Sequence, residues 1–335
     1  MRLAQIGFYG HHSLLHLAGS DRLDKQIVNR LELVAVASEG EEGTPPPRVK
    51  SEFSGVPLFA DYRRMIEAVK PDIVSIGCRY ALNGKAALFA LERGIRVVCE
   101  KPVADSLSEL AALDDCVRRS GIPLIPEFTM RWLPAFQAAR GVVKSGALGR
   151  VVLASAQKSY AFGNRPEFYR KRSLYGGTVG WVAVHAIDFI RWCTGLEYAS
   201  VAGFHGNLSQ PGYAECEDHA VLSFGLRGGG AASVTADFLN PCTPGFRNDD
   251  RLRIAGELGC VEVRHGSCYH RATGVEEKCL ASGGALPEEV ANGLLRCALG
   301  ESTHVTWEDA RRVTEVCLLA RDAADSGIPR EIAPS

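Results

Sequence analysis

The stretch IGFYGHHS, residues 6–13, lies where an apolar strand pattern runs into a helical pattern. Dinucleotide-binding folds carry Gly-x-Gly-x-x-Gly at such a junction, because glycines allow a tight turn and a close approach of the backbone to pyrophosphate. The matching positions here are Gly7, Tyr9 and His12, with an additional Gly10. An ordinary strand-to-helix turn explains a single glycine in register equally well. We predict that Gly7, Tyr9, Gly10 and His12 bind a dinucleotide through backbone amides, less closely than a full set of glycines would.

The first part of the chain alternates short apolar runs with helical patterns. Runs this apolar are typical of strands that are covered on both faces, and therefore of a parallel sheet. The sequence predicts a Rossmann-like, doubly wound α/β domain over residues 1–124. The apolar runs are LAQIG (3–7), LELVAVAS (31–38), DIVSIG (72–77), IRVVCE (95–100) and IPLIPEF (122–128).

The pattern changes after about residue 125. Two helical stretches are followed by strand patterns that succeed one another through glycine-rich turns, which favours an antiparallel sheet with helices on one face. We predict an α+β domain over residues 125–335 with a large, mostly antiparallel sheet. A last helix, about 306–327, is a candidate to pack back on the N-terminal domain.

Composition limits the classes of function. The chain has 335 residues, which favours two domains, and a net charge of −1, which argues against binding to nucleic acid or to an anionic membrane. The N-terminus lacks a signal-peptide pattern, and no apolar stretch reaches membrane-spanning length. The eleven cysteines include no CxxC pair, so we expect a cytoplasmic protein that binds a small molecule and no metal.

Ser38 and Glu39 follow the second predicted strand, where an acidic residue binds the adenosine ribose in dinucleotide folds. Glu39 is displaced by one place from the usual position. No arginine adjoins it in the sequence, which disfavours a 2′-phosphate. NAD is therefore favoured over NADP.

VVCEKPV, residues 97–103, places Glu100, Lys101 and Pro102 at the carboxyl end of a buried strand. Ligands bind at this edge of open α/β sheets. By position alone, Lys101 is equally a surface group and a charge directed at a ligand.

With a Rossmann-like domain before it and an α+β domain after it, this Glu-Lys-Pro turn resembles that of the glucose-fructose oxidoreductase, inositol dehydrogenase and rhizopine-catabolism (Gfo/Idh/MocA) family. The resemblance covers nearly the whole chain, and the ordered set of motifs is more specific than any one of them. Its other segments include DYRRMIEAVKPDIVSIG, ALFALERGIRVV, RWLPAFQAARGVVKSGALGRV, YGGTVGWVAVHAIDFIRWCTG and DRLRIAGELGCVEV.

The resemblance implies an NAD(P)-dependent oxidoreductase that transfers hydride between the cofactor and a secondary alcohol or ketone of a sugar, polyol or glycoside-like substrate. It also implies a homodimer or homotetramer formed through the open face of the second-domain sheet. Two alternatives stay open: an NAD-retaining, redox-assisted glycoside hydrolase or lyase, and a non-catalytic ligand-binding or regulatory protein.

In GGTVGWVAVHAIDFIRW, the residues Trp181, His185 and Asp188 can share one helical face. A histidine on an apolar helix is more often a core residue. The resemblance instead places His185 beside substrate and nicotinamide, with Lys101 opposite. These two residues are the predicted catalytic pair, as proton acceptor and positive charge, and Asp188 is predicted to orient the histidine.

Two positions depart from the family pattern. Many members carry aspartate where this chain has Trp181, which we expect either to form an apolar platform for the substrate or to pack in the core. The usual Thr-Pro after the fourth strand and a following histidine become Cys78, Arg79 and Asn83. We include Cys78 and Arg79 among the predicted cofactor-binding residues.

The remaining candidates lie in the second domain. Relatives carry a matching arginine at Arg131, and the stretch QKSYAFGNRPEFYRKR (157–172) mixes basic and aromatic residues. We predict that it forms a lip whose side chains bind substrate hydroxyls, although a solvated loop explains each residue equally well. The complete predicted substrate-binding set is Arg131, Lys158, Tyr160, Tyr169, Trp181, His185 and Asp188.

Overall fold

The computed structural model describes residues 1–11, 13–17, 31–40, 53, 55–243 and 248–334. The predicted phosphate-loop residue His12 lies outside these ranges. None of the helices within them is long and apolar enough to cross a membrane.

The chain forms two compact units. The first comprises Met1–Glu127 and Leu286–Thr314, and the second comprises Phe128–Ala285 and Glu315–Ser335. The first unit thus extends to Glu127 rather than to residue 124, and a late segment of the chain returns to it.

Six short strands form the sheet of the first unit. They are β1 (Arg2–Ile6), β2 (Glu32–Ala37), β3 (Leu58–Phe59), β4 (Ile73–Ile76), β5 (Arg96–Cys99) and β6 (Leu124–Pro126). The order is β3-β2-β1-β4-β5-β6, and every neighbouring pair runs parallel. The strand order reverses between β1 and β4, and the crevice at such a reversal is where doubly wound sheets bind ligands. The predicted parallel sheet is confirmed.

Burial explains why the strand runs are so apolar. All four residues of β4 are buried, as are the last four residues of β1. Successive side chains of a strand point to opposite faces, so both faces of this sheet are covered.

Three helices of the first unit follow strands, namely α1 (Tyr62–Val69), α2 (Asn83–Leu91) and α3 (Leu107–Ser120). The N-terminal cap of α3 is Ser106, whose hydroxyl accepts a hydrogen bond from the Glu109 amide at 3.1 Å. The Glu109 carboxylate accepts from the Asp105 amide rather than from that of Ser106. Gly121 ends the helix with φ of 66°, a left-handed conformation that glycine adopts without strain.

Nine strands form the sheet of the second unit. They are β7 (Val151–Tyr160), β8 (Tyr198–Gly206), β9 (His219–Leu226), β10 (Ala231–Asp237), β11 (Asn248–Gly256), β12 (Gly259–Arg264), β13 (Ser267–Ala272), β14 (Val275–Ser282) and β15 (Arg330–Glu331). The order is β14-β13-β12-β11-β7-β10-β9-β8-β15. Only β7 and β10 pair in parallel, which confirms the mostly antiparallel prediction.

One face of this sheet packs on helices. The helices of this region are α4 (Pro134–Lys144), the single turn α5 (Arg172–Tyr175) and α6 (Val184–Thr194), which continues a π-helical turn over Val179–Ala183. The helices α4 and α6 contact each other and the sheet, with Phe136 and Phe189 rings 4.2 Å apart. In β9 the residues alternate, so that Leu222 is buried while Val221 on the other face is 48 % exposed.

The C-terminal helices are α7 (Pro287–Ala298) and α8 (Trp307–Ser326). Helix α7 packs against β5 and β6 of the first unit. The predicted last helix is α8, and it belongs to the first unit up to Thr314 and to the second from Glu315. Its first residue is fixed in the first unit, because the Trp307 indole donates to the Asp114 carboxylate at 2.8 Å.

Short 3-10 turns complete the described structure. They cover Ser13–Leu17, Tyr80–Leu82, Thr129–Trp132, Glu167–Arg170 and Pro211–Tyr213.

The Ser106 cap predicts a measurable contribution to stability. Ser106→Ala leaves the Glu109 amide without its acceptor and should lower the free energy of unfolding by about 1 kcal/mol. Ser106→Asp keeps an acceptor and should unfold like the wild type. Chemical denaturation of the three proteins measures this, and equal stability of Ser106→Ala and wild type would contradict the assignment.

Candidate functional site

The first predicted glycine occupies a position that only glycine fits. Gly7 follows β1 with φ of 75°, and its amide donates to the Ala37 carbonyl at 2.8 Å. A Cβ at Gly7 would lie 2.3 Å from the Gly77 carbonyl oxygen after β4. The loop therefore starts tightly packed between the carboxyl ends of β2 and β4.

The second glycine, Gly10, lies against a buried carboxylate. It has φ of 92°, and a Cβ there would lie 2.3 Å from Oε2 of Glu100. That carboxylate accepts hydrogen bonds from the His11 amide at 2.8 Å, from the His11 ring at 2.7 Å and from the Lys101 amide at 2.9 Å. Tyr9 between the two glycines donates its amide to the Gly77 carbonyl. Glu100 thus links the loop after β1 to the turn after β5.

Lys101, the predicted catalytic lysine, is almost fully buried at 1 % exposure. Its ammonium nitrogen lies 3.9 Å from Oε1 of Glu100, so the two charges form an ion pair. The peptide between Lys101 and Pro102 is cis.

Asn83 forms a connection that sequence reasoning recorded only as a departure from the family. Its side-chain oxygen accepts from the Cys78 amide at 2.9 Å, and its side-chain nitrogen donates to the carbonyls of Glu100 at 2.9 Å and Pro102 at 3.2 Å. The side chain is completely buried. Asn83 therefore fixes the spacing between the loop after β4 and the Glu-Lys-Pro turn.

Neighbouring charges shift the pKa values of Glu100 and His11. Burial alone would raise the pKa of Glu100, but His11 and Lys101 outweigh burial and lower it to about 2. Burial also disfavours the protonated form of His11, yet the Glu100 carboxylate raises the pKa of this histidine above its usual value. The loop after β1 consequently carries an imidazole biased towards its cationic form.

Glu127, immediately after β6, is a second buried carboxyl that sequence reasoning missed. It accepts from the Ser13 hydroxyl at 2.8 Å and from the Ser13 amide at 3.3 Å. Burial and the nearby charge of Glu100 raise the pKa of Glu127 to about 7. No local pattern distinguished Glu127, because its neighbours in space come from β1 and β5.

His11, Glu100 and Glu127 each offer one possible ligand atom, and these atoms lie within 4.8 Å of one another. The ammonium group of Lys101 is next to Glu100, however, and supplies the positive charge that a metal ion would bring. The imidazole of His11 is hydrogen-bonded to the same carboxylate. The cluster is therefore a hydrogen-bonded charge network at the edge of the sheet.

Two other predicted cofactor residues meet at the same edge. The backbone amide of Arg79 donates to Oε2 of Glu39 at 2.6 Å, and the Arg79 guanidinium pairs with Oε1. Ser38 and Cys78, their chain neighbours, are buried, and burial raises the pKa of the Cys78 thiol well above its usual value. Cys78 is accordingly a neutral core thiol.

The predicted histidine lies in a completely buried part of the second unit. His185 is on α6 at 2 % exposure, and every residue from Val179 to Ile190 is buried. Trp181 lies one turn earlier, within the π-helical turn, and its amide donates to the Gly177 carbonyl. The ring of His185 is stacked at 6.4 Å from that of Phe189.

Two predicted substrate residues bind each other. Arg131 donates to both oxygens of Asp188, from Nη2 at 2.6 Å and from Nε at 3.0 Å. Both side chains are buried, and the guanidinium also lies over the ring of Trp192 at 5.5 Å. This bidentate pair fixes the helix that carries His185, whereas the direct contacts of Arg131 and Asp188 with substrate stay predictions.

The residues of the predicted lip occupy different environments. Lys158 is buried and pairs with Asp250 at 2.7 Å, with the ring of Tyr160 4.5 Å away. Burial would lower the pKa of Lys158, but Tyr160 and Asp250 raise it overall. Tyr169 is fully buried and stacks on Tyr175 at 4.3 Å. Lys158 and Tyr169 are thus packed rather than solvated.

The distribution of the predicted residues follows the two units. All described cofactor candidates belong to the first unit, and all substrate candidates belong to the second. The predicted catalytic pair is divided in the same way, with Lys101 in the first unit and His185 in the second.

Glu127 predicts a specific dependence of stability on pH. Between pH 4.5 and about 7 the unfolded state releases this proton while the folded state keeps it, so the wild type loses stability as pH rises through that window. Glu127→Gln cannot ionise, and its stability relative to wild type should rise by at most about 3 kcal/mol over the same range.

Chemical denaturation at pH 5 and pH 8 measures this difference. Glu67→Gln is the matched control, because that carboxyl is 66 % exposed. A stability difference between Glu127→Gln and wild type that is the same at both pH values would contradict the raised pKa.

Family models match both units. Residues 2–128 match an oxidoreductase family with an NAD-binding Rossmann fold, and residues 136–262 match the C-terminal domain of the GFO/IDH/MocA group. These matches confirm the resemblance seen in the sequence.

Individual relatives and solved structures similar to this chain are also named as dehydrogenases or oxidoreductases. Inositol 2-dehydrogenase 2 of Saccharopolyspora erythraea is 26 % identical over 313 residues, which cover 90 % of this chain and 88 % of the relative. An oxidoreductase structure from Thermotoga maritima is 32 % identical, with a TM-score of 0.87, and covers 99 % of this chain and 100 % of that one. A levoglucosan dehydrogenase structure in complex with NADH and levoglucosan shares the fold at 19 % identity, with a TM-score of 0.82 over the full length of both chains. The chain belongs to the Gfo/Idh/MocA family of NAD-binding oxidoreductases.

Proposed function

We propose that this protein is a dehydrogenase that uses NAD in preference to NADP and oxidises a secondary alcohol of a sugar, polyol or glycoside-like substrate. The observation that carries the proposal is the buried, charge-paired Lys101 at the carboxyl end of β5, beside a loop in which Gly7 and Gly10 adopt left-handed backbone conformations. Relatives named as inositol and levoglucosan dehydrogenases support the substrate class.

The loop after β1 fits a dinucleotide. Gly7 and Gly10 adopt left-handed backbone conformations and pack closely against Gly77 and Glu100, which forms the tight turn that a dinucleotide-binding loop requires. We assign cofactor contacts to this loop and to the edges beside it. The residues are Gly7, Tyr9, Gly10, His12, Ser38, Glu39, Cys78, Arg79, Glu100, Lys101 and Pro102. When bound, NAD supplies the hydride acceptor.

Two side chains act on the proton of the substrate hydroxyl and on the negative charge that develops on its oxygen. His185 accepts the proton of the substrate hydroxyl as a general base. The ammonium group of Lys101 donates to the same oxygen and stabilises its developing negative charge. Glu100 keeps Lys101 in place, and the Arg131–Asp188 pair keeps the helix of His185 in place.

Trp181 and the lip residues are assigned to substrate binding. The side chain of Trp181 is 5 % exposed, and we assign its indole ring to the apolar face of a sugar ring. Lys158, Tyr160 and Tyr169 are assigned to substrate hydroxyls. Arg131 and Asp188 complete the assigned set.

Turnover tests the proposal. Purified protein with NAD should form NADH with at least one inositol, glucoside or anhydrosugar, and Lys101→Met and His185→Gln should each reduce kcat by roughly 10²- to 10⁴-fold. Lys85→Met is the control, because Lys85 is an exposed lysine on α2. Bound cofactor without redox change on any such compound would contradict the proposal, and product release without net NADH would instead favour the hydrolase or lyase mechanism.

We also propose a homodimer or homotetramer formed through the open face of the nine-stranded sheet. Directly paired residues form a row across this face from β8 to β11, with Phe204 77 % exposed at one end. The row consists of Phe204, Val221, Thr235, Gln157 and Arg251. Two neighbours in this row, Phe204 and Val221, are exposed apolar side chains, and apolar side chains exposed together on a sheet face are typical of association between chains.

Light scattering after size-exclusion chromatography tests the oligomer. The wild type should elute at two or four times the chain mass, and Phe204→Glu should shift it towards the monomer. Leu107→Glu, at the exposed start of α3, is the control and should leave the mass unchanged. A monomeric wild type would contradict this assignment.

A cytoplasmic location completes the proposal. All eleven cysteines are free thiols, and eight of them are buried, as expected where disulfides do not form.

A further inference from the structure

Glu39 and Arg79 meet although they lie far apart in the sequence. Glu39 follows β2 and Arg79 follows β4, and the sheet order places β1 between these two strands. The contact therefore spans the carboxyl end of β1, where Gly7 begins the phosphate loop. Arg79 binds both Glu39 oxygens, with its amide on Oε2 and its guanidinium on Oε1.

The contact with Arg79 bears on which cofactor the acidic residue Glu39 favours. An acid after β2 accepts hydrogen bonds from the adenosine ribose, whereas a nearby arginine accommodates the 2′-phosphate of NADP. The sequence next to Glu39 contains no arginine, but the fold brings one from β4. Both groups needed to choose between the two cofactors therefore lie in one contact.

Glu39 can still accept hydrogen bonds from a ligand, whereas the Arg79 guanidinium is engaged by Glu39. A carboxylate has about four lone-pair positions, and Arg79 uses one on each oxygen, so Glu39 can still accept from ribose hydroxyls. A 2′-phosphate would instead meet the Glu39 charge and would need the guanidinium that Glu39 holds. The side chains are only 5 % and 17 % exposed, so solvent weakens these charge interactions little.

We propose that the Glu39–Arg79 pair determines cofactor specificity: Glu39 binds the ribose of NAD and, by holding Arg79, withholds a latent phosphate-binding group from NADP. The inference rests on the proposed dinucleotide site. Arg79 is a positioning residue for Glu39 in the wild type and becomes the 2′-phosphate ligand when the carboxylate charge is removed.

Titration with NADH and NADPH, followed by cofactor fluorescence, tests the pair through a double-mutant cycle. Wild type should bind NADH more tightly. Glu39→Gln should shift the ratio of the two dissociation constants towards NADPH by at least about tenfold, roughly one charge-assisted hydrogen bond. Arg79→Met should weaken NADH binding without any gain for NADPH, and the double variant should lose the NADPH gain of Glu39→Gln.

Glu67→Gln is the matched control, since it removes an exposed carboxylate from the same unit and should leave the ratio unchanged. Thermal unfolding checks that each variant is folded, and Glu39→Ser repeats the test with a smaller side chain if Glu39→Gln is unstable. An unchanged ratio in Glu39→Gln and Glu39→Ser, or an equal NADPH gain with and without Arg79, would overturn the inference. A wild type that binds neither cofactor would overturn the proposed function itself, which separates the two failures.

Discussion

The carboxylate of Glu100 is the interaction on which the site depends. It accepts the His11 amide and ring from the loop after β1, and the Lys101 amide from its own turn after β5. A Cβ at Gly10 would lie 2.3 Å from this carboxylate, so a larger residue there would have to displace Glu100. The loop after β1 and the turn after β5 are therefore packed together through Glu100.

Buried charges are tolerated only when they are paired with opposite charges. The two buried carboxyl groups of this site, Glu100 and Glu127, differ in how fully they are paired. Glu100 has two positive neighbours, His11 and Lys101, and stays ionised with a pKa of about 2. Glu127 has the nearby negative charge of Glu100 and hydrogen bonds only from Ser13, so its pKa rises to about 7. Near neutral pH the cluster can thus gain or lose one proton at Glu127 without breaking the ion pair that holds Lys101.

The same rule explains the second unit. Arg131 and Asp188 are both buried, and neither charge would be stable there without its bidentate partner. Because Asp188 lies one turn after His185 on α6, the pair fixes the face of the helix on which the histidine lies. Arg131 thus holds Asp188 in place, whereas an orienting effect of Asp188 on the His185 ring stays a prediction.

Local sequence patterns predicted the features that depend on residues close together in the chain. Uninterrupted apolar runs predicted the parallel sheet, and the apolar run before Glu100 predicted that Lys101 follows the end of β5. The partners could not be predicted, since strand order decides them: Arg79 reaches Glu39 across β1, and Asn83 reaches the turn after β5. The return of Leu286–Thr314 to the first unit likewise has no local signal, because it depends on packing between distant segments.

The most direct test of this account is the affinity for NADH of Gly10→Ala compared with Gly55→Ala. The two glycines have nearly the same φ, 92° and 93°, but a Cβ at Gly55 meets no atom within 4 Å. Both variants place alanine at a positive φ, and only Gly10→Ala must displace Glu100. Gly10→Ala should weaken NADH binding at least about tenfold relative to Gly55→Ala, which is the loss of about one good hydrogen bond. Equal affinities in the two variants would contradict it.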